Sequence, residues 1–540
     1  MPKILASVVV ACVTVFAAGA TEAGLLPDRV AQSARDRVAD GEFPALVIAM
    51  VDHGQVEIEA YGKLDNGVAP DADTVFEIGS ITKTFTATML AEAVQSGAVT
   101  LDEPVEKLLP GVTIPSRDGK AITLEAIATQ RSGLPRMPTN FAPVDPKNPY
   151  ADYDADKLKA FLGAYTLPRD PGAQYEYSNL AFGLLGTALA TAAHTDYGTL
   201  VREKVLAPLG MTQSGTAFTA SMRAHLAVGH DALGRPTPNW DMEALAGAGA
   251  IRSTANDMVR YLKANMGVDK TPLAAAMSLA HAPRADAQPP MRIGLAWMTT
   301  AKGIVWHDGG TGGYHSFIGF TADGTRGVVA LTNTTYSLDD LGFAALDDAA
   351  PLTHARKAVD LSVDALQAYA GTYRLRPGFD VRVFLIDGKL LAQATGQGPI
   401  PLLASAPNEF FVRGAEIAIT FNRDASGAVT GLVLHQNGDH AAPRLPDEAT
   451  VALDADTLAA YVGKYQLTPN AAFDITLKDG QLLAQLTGQP VVPVFASARD
   501  KFFYKAVDAQ IDFARGPDGK VDALVLHQGG KDLRAPKIAP

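Results

Sequence analysis

A serine and a lysine three positions apart are the first residues whose types and spacing could do chemistry. Ser80 and Lys83 stand near the start of a stretch whose apolar residues have helical spacing, so both lie on one helix face. A serine hydroxyl becomes a nucleophile when a neighbouring base takes its proton, and a lysine with a lowered pKa can be that base. We therefore predict a nucleophile–base pair. Taken alone, the motif also fits a serine N-cap beside an exposed lysine.

A tyrosine and an asparagine form the second candidate group. Tyr177 and Asn179 precede a helical run over residues 181–192. Because they are two positions apart, an extended segment would point both side chains into one cleft. A phenol can transfer a proton and an amide can hold a substrate carbonyl. On its own, the motif fits equally well a loop that leads into a helix.

The third candidate group is the segment His307-Asp308-Gly309-Gly310, inside a strand-like run. Glycine at a strand edge lets a substrate approach the backbone closely, and it can aim a backbone N–H at a developing oxyanion. His307 would meet the substrate through a charge or a hydrogen bond. Strand alternation turns Asp308 to the opposite face, where we interpret it as structural. A dinucleotide loop does not fit, because a third glycine and a following helix are missing.

The elements that must position these groups lie within residues 24–345, where helical patterns alternate with strand-like runs. The apolar run 46–51 is followed by a turn and by alternating apolar residues over 56–60, which predicts a hairpin. A further strand-like run follows at 327–331 after several helices. This pattern predicts an α+β domain, in which an antiparallel sheet is flanked by helices.

The rest of the chain is a duplication. Residues 369–373 match 461–465, and residues 432–436 match 524–528, both at an offset of about 92 positions. Each copy alternates with period two, and in the first copy Asp387-Gly388 marks a hairpin turn. We predict two small antiparallel, lipocalin-like β-barrel domains, over residues 362–445 and 455–536.

Composition excludes several classes of function. Among 540 residues, 46 Lys and Arg stand against 58 Asp and Glu, a net charge of −12, which argues against a nucleic-acid partner. A single cysteine, Cys12, rules out intrachain disulfides and metal sites built from cysteines. Homo-oligomer formation stays open.

The N-terminus indicates a compartment. A short basic start, an apolar run over residues 4–20 and the small residues 18–20 predict a signal peptide over residues 1–20. An uncleaved membrane anchor is the alternative, because the run just reaches the length of a membrane span. We expect a periplasmic or secreted protein that has no stable membrane span after cleavage.

Taken in order, the three groups resemble the serine β-lactamase and penicillin-binding-protein superfamily. Within it, the resemblance is to the group of class C β-lactamases, D-alanyl-D-alanine carboxypeptidases and D-aminopeptidases, over roughly residues 40–335. Supporting phrases occur at residues 131–135, 207–211 and 252–257. The resemblance implies a β-lactamase/transpeptidase-like sheet and an acyl-enzyme reaction without cofactor or metal.

The same resemblance implies a role for each candidate. Ser80 matches the nucleophile, Lys83 its general base, Tyr177 the proton relay and Asn179 a substrate contact. The backbone N–H groups of Ser80 and Gly310 match the oxyanion hole, which makes Gly309 and Gly310 substrate-binding positions. His307 joins Ser80, Lys83 and Tyr177 as a catalytic candidate.

The departure from the β-lactamases is at His307-Asp308-Gly309, where they carry Lys-Thr-Gly. A histidine offers less permanent charge to a substrate carboxylate, and His-x-Gly resembles the D-aminopeptidases and esterases. A catalytic domain followed by two barrels is also similar to the D-aminopeptidases. We therefore expect hydrolysis of a small molecule or short peptide that contains D-amino acids. A short-chain esterase, a weak β-lactamase and a penicillin-binding sensor or scaffold are the alternatives.

Overall fold

The computed structural model describes residues 24–446, 449–468, 471–478, 480–487, 489, 491–504, 509–528 and 531–538. The predicted signal peptide, residues 1–20, lies outside these residues. None of the helices in the described part of the chain combines the length and the apolar character that crossing a bilayer requires.

An eight-stranded antiparallel sheet forms the centre of the first region, in the order β2-β1-β12-β11-β10-β9-β8-β7. The remaining strands of this region form two short pairs, β3 with β6 and β4 with β5. The strands are β1 (Ala45–Asp52), β2 (Gln55–Gly62), β3 (Phe76–Glu77), β4 (Gly229–His230), β5 (Pro236–Thr237), β6 (Arg252–Ser253), β7 (Ala285–Asp286), β8 (Arg292–Ile293), β9 (Met298–Thr299), β10 (Val305–Gly310), β11 (His315–Phe320) and β12 (Arg326–Thr332).

Helices cover both faces of this sheet. They are α1 (Asp28–Ala39), α2 (Thr82–Gln95), α3 (Leu124–Ala128), α4 (Ala155–Ala164), α5 (Asn179–Ala192), α6 (Tyr197–Val201), α7 (Ala220–Ala224), α8 (Ala246–Gly249), α9 (Ala255–Asn265), α10 (Ala274–His281) and α11 (Asp339–Leu346). Helices α1 and α11 pack on one face, and a larger group that includes α2, α5 and α9 packs on the other.

Strand β1 shows why the sequence reads as an unbroken apolar run there. Val47, Ala49 and Val51 enter the core beneath α2 and α5. The intervening Leu46 and Ile48 enter the core beneath α1 and α11. A strand that is buried on both faces has no solvent side, so its polar positions disappear.

Both copies of the duplicated tail fold into antiparallel strands. The first copy contains α12 (Val363–Gln367), β13 (Gly371–Arg376), β14 (Phe379–Ile386), β15 (Lys389–Ala394), β16 (Ile400–Pro401), β17 (Leu403–Ala406), β18 (Glu409–Phe411), β19 (Ala418–Arg423), β20 (Val429–His435) and β21 (Asp439–Pro443). The second contains α13 (Ala455–Ala459), β22 (Gly463–Thr468), β23 (Ala471–Lys478), β24 (Gln481–Leu486), β25 (Val492–Ala498), β26 (Lys501–Tyr504), β27 (Gln510–Arg515), β28 (Val521–Gln528) and β29 (Lys531–Ile538).

The two copies differ in one strand. Strands β22 to β29 close into a barrel, and their β25 is continuous. In the first copy the matching strand is interrupted at Leu402, whose N–H bonds to the carbonyl of Leu390, 2.8 Å away. The first copy is therefore two sheets of four and five strands, joined by a bridge between Tyr373 and Arg444.

The predicted fold class is confirmed: a helix-flanked antiparallel sheet is followed by two antiparallel β units. The first of these units contacts the sheet domain through polar side chains. Arg413 donates to the carbonyl oxygens of Asp40 and Gly41, and Arg235 pairs with Asp387 at 3.2 Å. These contacts attach the tail to the first domain.

Candidate active site

Ser80 lies in a single 3₁₀ turn, Gly79–Ile81, which runs directly into α2. The turn requires glycine at its first position, because Gly79 has a φ of +48° and a Cβ there would lie 2.8 Å from the backbone N of Gly310. The close approach of these two backbones holds Ser80 beside the end of β10. The sequence predicted a helix start at Ser80, and the structure has one turn of tighter helix there.

Lys83 is fully buried one turn further along. Its Nζ donates to the Ser80 Oγ at 2.8 Å, to the Asn179 Oδ1 at 2.9 Å and to the carbonyl oxygen of Ala248 at 2.7 Å. Burial, and next the positive charge of Arg136, holds the pKa of Lys83 well below that of an ordinary lysine. A fixed amine of this kind can accept the proton of the Ser80 hydroxyl.

The second group reaches the same lysine from α5. That helix begins at Asn179 because Ser178 caps it, its Oγ accepting the N–H of Ala181 at 2.9 Å. Asn179 then projects toward Lys83, and the ring centroid of Tyr177 lies 4.9 Å from the Lys83 Nζ. Both side chains therefore enter one cleft, as their spacing predicted.

The hydroxyl of Tyr177 keeps its proton at neutral pH. Burial raises the pKa of Tyr177, and a hydrogen bond with Ser80 opposes this only in part. A protonated phenol in contact with the Ser80 hydroxyl can pass a proton onward more readily than it can remove one. Of the two candidate bases, Lys83 is the one whose pKa is shifted toward neutrality.

The third group comes from β10. His307 is 3% exposed, and its Nδ1 lies 2.5 Å from the carbonyl oxygen of Asp308. A carbonyl only accepts, so Nδ1 carries the proton and donates it. Burial lowers the pKa of His307, which the negative charge of Asp308 opposes. His307 is therefore a neutral imidazole at neutral pH, its ring 6.4 Å from that of Tyr177.

Gly309 lets β10 pack against the turn that carries Ser80. A Cβ at Gly309 would lie 2.0 Å from the carbonyl oxygen of Ile78 and 2.6 Å from the Ser316 Oγ. The Ser316 hydroxyl fills this junction and donates to the same Ile78 oxygen at 2.9 Å. The following Gly310 is exposed at the strand end, beside Ser80. This arrangement brings the backbones of Ser80 and Gly310 to one place, as an oxyanion hole needs.

The structure thus brings every sequence-predicted site residue into one cleft, and it adds two groups. Arg136 is exposed, its guanidinium carbon 5.1 Å from the ring centroid of Tyr177. Arg136 directly follows the sequence motif at residues 131–135, and that motif was the feature of the sequence that could have pointed to it. The carbonyl of Ala248, the third acceptor of Lys83, lies 165 positions away and has no signal in the sequence.

Comparisons with protein families divide the chain at the same place as the fold. The family model for beta-lactamase matches residues 30–350. A domain of unknown function, DUF3471, matches residues 355–445 and again 447–536. These two matches correspond to the two copies of the duplication seen in the sequence.

Individual relatives are similar to the first region. The D-alanyl-D-alanine-carboxypeptidase/endopeptidase AmpH of Escherichia coli K12 is 29% identical over 313 residues, which are 52% of this chain and 79% of that protein. A beta-lactamase of Psychrobacter immobilis is 26% identical over 250 residues, 45% of this chain and 58% of that protein.

Solved structures share the fold. A beta-lactamase/D-alanine carboxypeptidase from Yersinia pestis, complexed with citrate, is 25% identical with a TM-score of 0.50, covering 59% of this chain and 95% of that one. A class C beta-lactamase gives a TM-score of 0.54 at 23% identity, covering 61% and 97%.

Proposed function

The chain belongs to the beta-lactamase family of serine hydrolases, and from this premise we propose that it hydrolyses short peptides or amides that contain D-amino acids, as a D-aminopeptidase or D,D-peptidase does. The observation that carries the proposal is the buried Lys83 amine, 2.8 Å from the Ser80 hydroxyl. An unpaired lysine is costly to bury, and this one is placed where a base for Ser80 must be.

In the proposed reaction the Ser80 Oγ attacks the carbonyl carbon of the substrate while its proton passes to the neutral amine of Lys83. The carbonyl oxygen takes up the π-electron pair of the C=O bond, and it accepts hydrogen bonds from the backbone N–H groups of Ser80 and Gly310. Tyr177 relays the proton to the leaving nitrogen, the C–N bond breaks and the amine departs. Water then attacks the acyl-enzyme, releases the acid and returns a proton to Ser80.

The charges around the cleft support amide or ester substrates over β-lactams. The neutral, buried His307 offers no permanent positive charge to a substrate carboxylate where the β-lactamases have a lysine. Asp308 follows it, and its charge is felt at Lys83 and Tyr177. A negative charge at this position favours a substrate with a free ammonium group, as in an aminopeptidase.

Arg136 supports a second candidate, carboxypeptidase activity. It is an exposed cation beside Tyr177, and its charge lowers the pKa of Lys83. No carboxylate among the described residues forms an ion pair with it, so it is free to meet the carboxylate of a peptide. The relatives from E. coli and Y. pestis carry carboxypeptidase in their names, which agrees with this candidate.

We place the activity in the periplasm or outside the cell. Residues 1–20 support this placement through their basic start and apolar run. A mature chain without Cys12 would contain no cysteine, which suits an oxidising compartment.

Intact-mass spectrometry tests the proposal on the wild type and on Ser80→Ala. Each protein is incubated with a D-alanine anilide, an acyl-D-Ala-D-Ala peptide, a short-chain ester and a penicillin, and released product is measured in parallel. We expect turnover of the anilide or the peptide, with a loss of at least about 10³-fold in Ser80→Ala. Ser96→Ala, at the exposed end of α2, is the matched control and should keep full activity.

The substrates separate the alternatives. Anilide turnover supports the aminopeptidase. Peptide turnover supports the carboxypeptidase, and Arg136→Gln should then raise KM for the peptide about tenfold or more and leave KM for the ester unchanged. Ester turnover alone would make the protein an esterase, and a stable penicillin adduct without product would make it a sensor. Full turnover in Ser80→Ala would overturn the proposal.

A further inference from the structure

Three side chains that take no part in the proton transfers of the proposed reaction meet beside the catalytic strand. Asp308 is on β10, His315 is on the neighbouring β11, and Asp339 is the first residue of α11. One potential ligand atom from each of the three lies within 4.8 Å of the others. Strand alternation predicted that Asp308 points away from His307, but an oxygen of its carboxylate lies only 3.8 Å from the His307 Nδ1.

This cluster has unsatisfied polar atoms. The Nδ1 of His315 and the Oδ1 of Asp339 are 3.8 Å apart, and each is buried without a hydrogen-bond partner. The side chains are 12% and 29% exposed, and that of Asp308 is 41% exposed. Leaving buried polar atoms unpaired destabilises a folded protein.

No side chain in the described part of the chain supplies the missing positive charge. Neither Asp308 nor Asp339 forms an ion pair with a lysine or an arginine among the described residues, although other buried charges of this domain do. Arg37, for example, pairs with Glu42 at 2.7 Å and with Asp340 at 2.9 Å. Two carboxylates and an imidazole, close together and partly shielded from water, form a site that an added cation would stabilise.

We propose that Asp308, His315 and Asp339 bind a divalent cation of the class that takes mixed oxygen and nitrogen ligands, with Zn²⁺ as its representative. Zinc sites with three protein ligands and one open position use this kind of donor set. Zn–N and Zn–O bonds of about 2.0–2.2 Å put tetrahedral ligand atoms about 3.4 Å apart. The pair at 3.8 Å is already near that spacing, and the exposed Asp308 side chain can rotate to complete it.

Because the site lies on β10, the cation would help to hold that strand in place. Asp308 lies between His307 and Gly309, in the strand whose end stands beside Ser80. A cation held by Asp308, His315 and Asp339 would link β10 and β11 to α11 and restrict the movement of that strand. It would act through the strand and would touch neither the substrate nor Ser80.

Calorimetric titration tests the proposal with ZnCl₂ as the probe, on the untagged full chain stripped of metal with a chelator, at pH 8, because protons compete with the metal for its ligands. We expect one saturable site in the wild type. His315→Gln and Asp339→Asn should each weaken the affinity at least about tenfold. His435→Gln is the matched control, because His435 stands only 2.7 Å from the carboxylate of Asp439, in a pair and not in a trio; it should bind as the wild type does.

Thermal unfolding gives a second readout that does not depend on activity. Zn²⁺ should raise the melting temperature of the wild type and of His435→Gln, and it should fail to raise that of the two site variants. The more exposed Asp308→Asn serves as a third site variant should the other two not fold. The absence of a saturable site in the wild type, or affinity unchanged in all site variants, would overturn the proposal.

Discussion

The first region and the duplicated tail bury different kinds of side chains. Among the described residues, every buried polar or charged side chain lies between Arg37 and Thr334, and these include Lys83 and His307. The cores of the two tail units consist of aliphatic and aromatic residues. Burying polar groups costs stability unless they are paired, and a protein keeps them where chemistry or specificity needs them. Among the described residues, the buried polar groups are therefore confined to the region that contains Ser80.

The two tail units show what the duplication preserved. In both, a tyrosine hydroxyl donates to the carbonyl of a tyrosine four residues earlier at 2.6 Å: Tyr373 to Tyr369, and Tyr465 to Tyr461. In both, a phenylalanine, Phe421 or Phe513, packs among these rings. These shared contacts maintain the same architecture in both copies.

The largest expected effect comes from removing the base in the first region. Lys83→Arg replaces the neutral amine with a guanidinium, which does not give up its proton at neutral pH. We expect kcat to fall by at least about 10³-fold on the substrate that the wild type turns over. Lys107→Arg, at an exposed position, is the control and should keep kcat. A near-normal kcat in Lys83→Arg would show that Lys83 is not the general base.

The pH profile of the wild type carries the same prediction. Activity requires the unprotonated amine, so kcat/KM should rise with pH as the Lys83 ammonium loses its proton. Because burial lowers the pKa of Lys83, this rise should be complete well below the pH at which an ordinary lysine titrates. A rise that followed an unshifted lysine would contradict the burial argument.

The next largest effect is a loss of stability that should be confined to the tail. Phe421→Ala and Phe513→Ala remove matched, buried rings from the two tail units, at a cost of about 3–5 kcal/mol to the unit concerned. Urea unfolding followed by hydrogen exchange of the tail residues should show that loss, whereas labelling of Ser80 by an acylating substrate should be unchanged. Loss of Ser80 labelling in either variant would show that the tail does more than pack.

A smaller effect on kcat should come from the junction between β10 and the nucleophile turn. Gly309→Ala places a Cβ 2.0 Å from the Ile78 carbonyl, so the strand must move away from Ser80. We expect a fall in kcat of about 10²-fold, typical of a displaced oxyanion donor. Gly398→Ala, in an exposed tail loop where a Cβ would meet nothing within 4 Å, is the control. Equal effects of the two substitutions would contradict the close approach.

The smallest effect concerns acid stability of the first region. His281 packs against Trp297 and Phe320, and burial lowers its pKa to about 4. The unfolded chain takes up this proton near pH 6.5 and the folded chain does not, so stability present above pH 6.5 is lost as the pH falls toward 4. Between pH 6.5 and 5 the free energy of unfolding should fall by roughly 1.5 kcal/mol, and His281→Gln should reduce that fall. If the pH dependence of the free energy of unfolding were unchanged in His281→Gln, another group would be responsible for it.

Much of the candidate site was predictable because its parts are local. Ser80 and Lys83 are three positions apart, Tyr177 and Asn179 two apart, and residues 307–310 are contiguous, so helix and strand periodicity alone orients each group. The fold class followed from the same periodicities. The duplication was visible as identities at one offset, since two copies of one fold keep the same buried positions.

The tertiary structure alone decided which distant groups meet. Lys83 reaches Asn179 and Ala248 across 96 and 165 positions, and no local pattern records those distances. The charges of Arg136 and Asp308 near the cleft, and the meeting of Asp308 with His315 and Asp339, likewise depend on how strands and helices pack. The sequence by itself determined the types of reactive groups and their local orientation. Their pKa values and partners were decided by burial, because solvent exclusion is a property of the packed molecule and not of a segment.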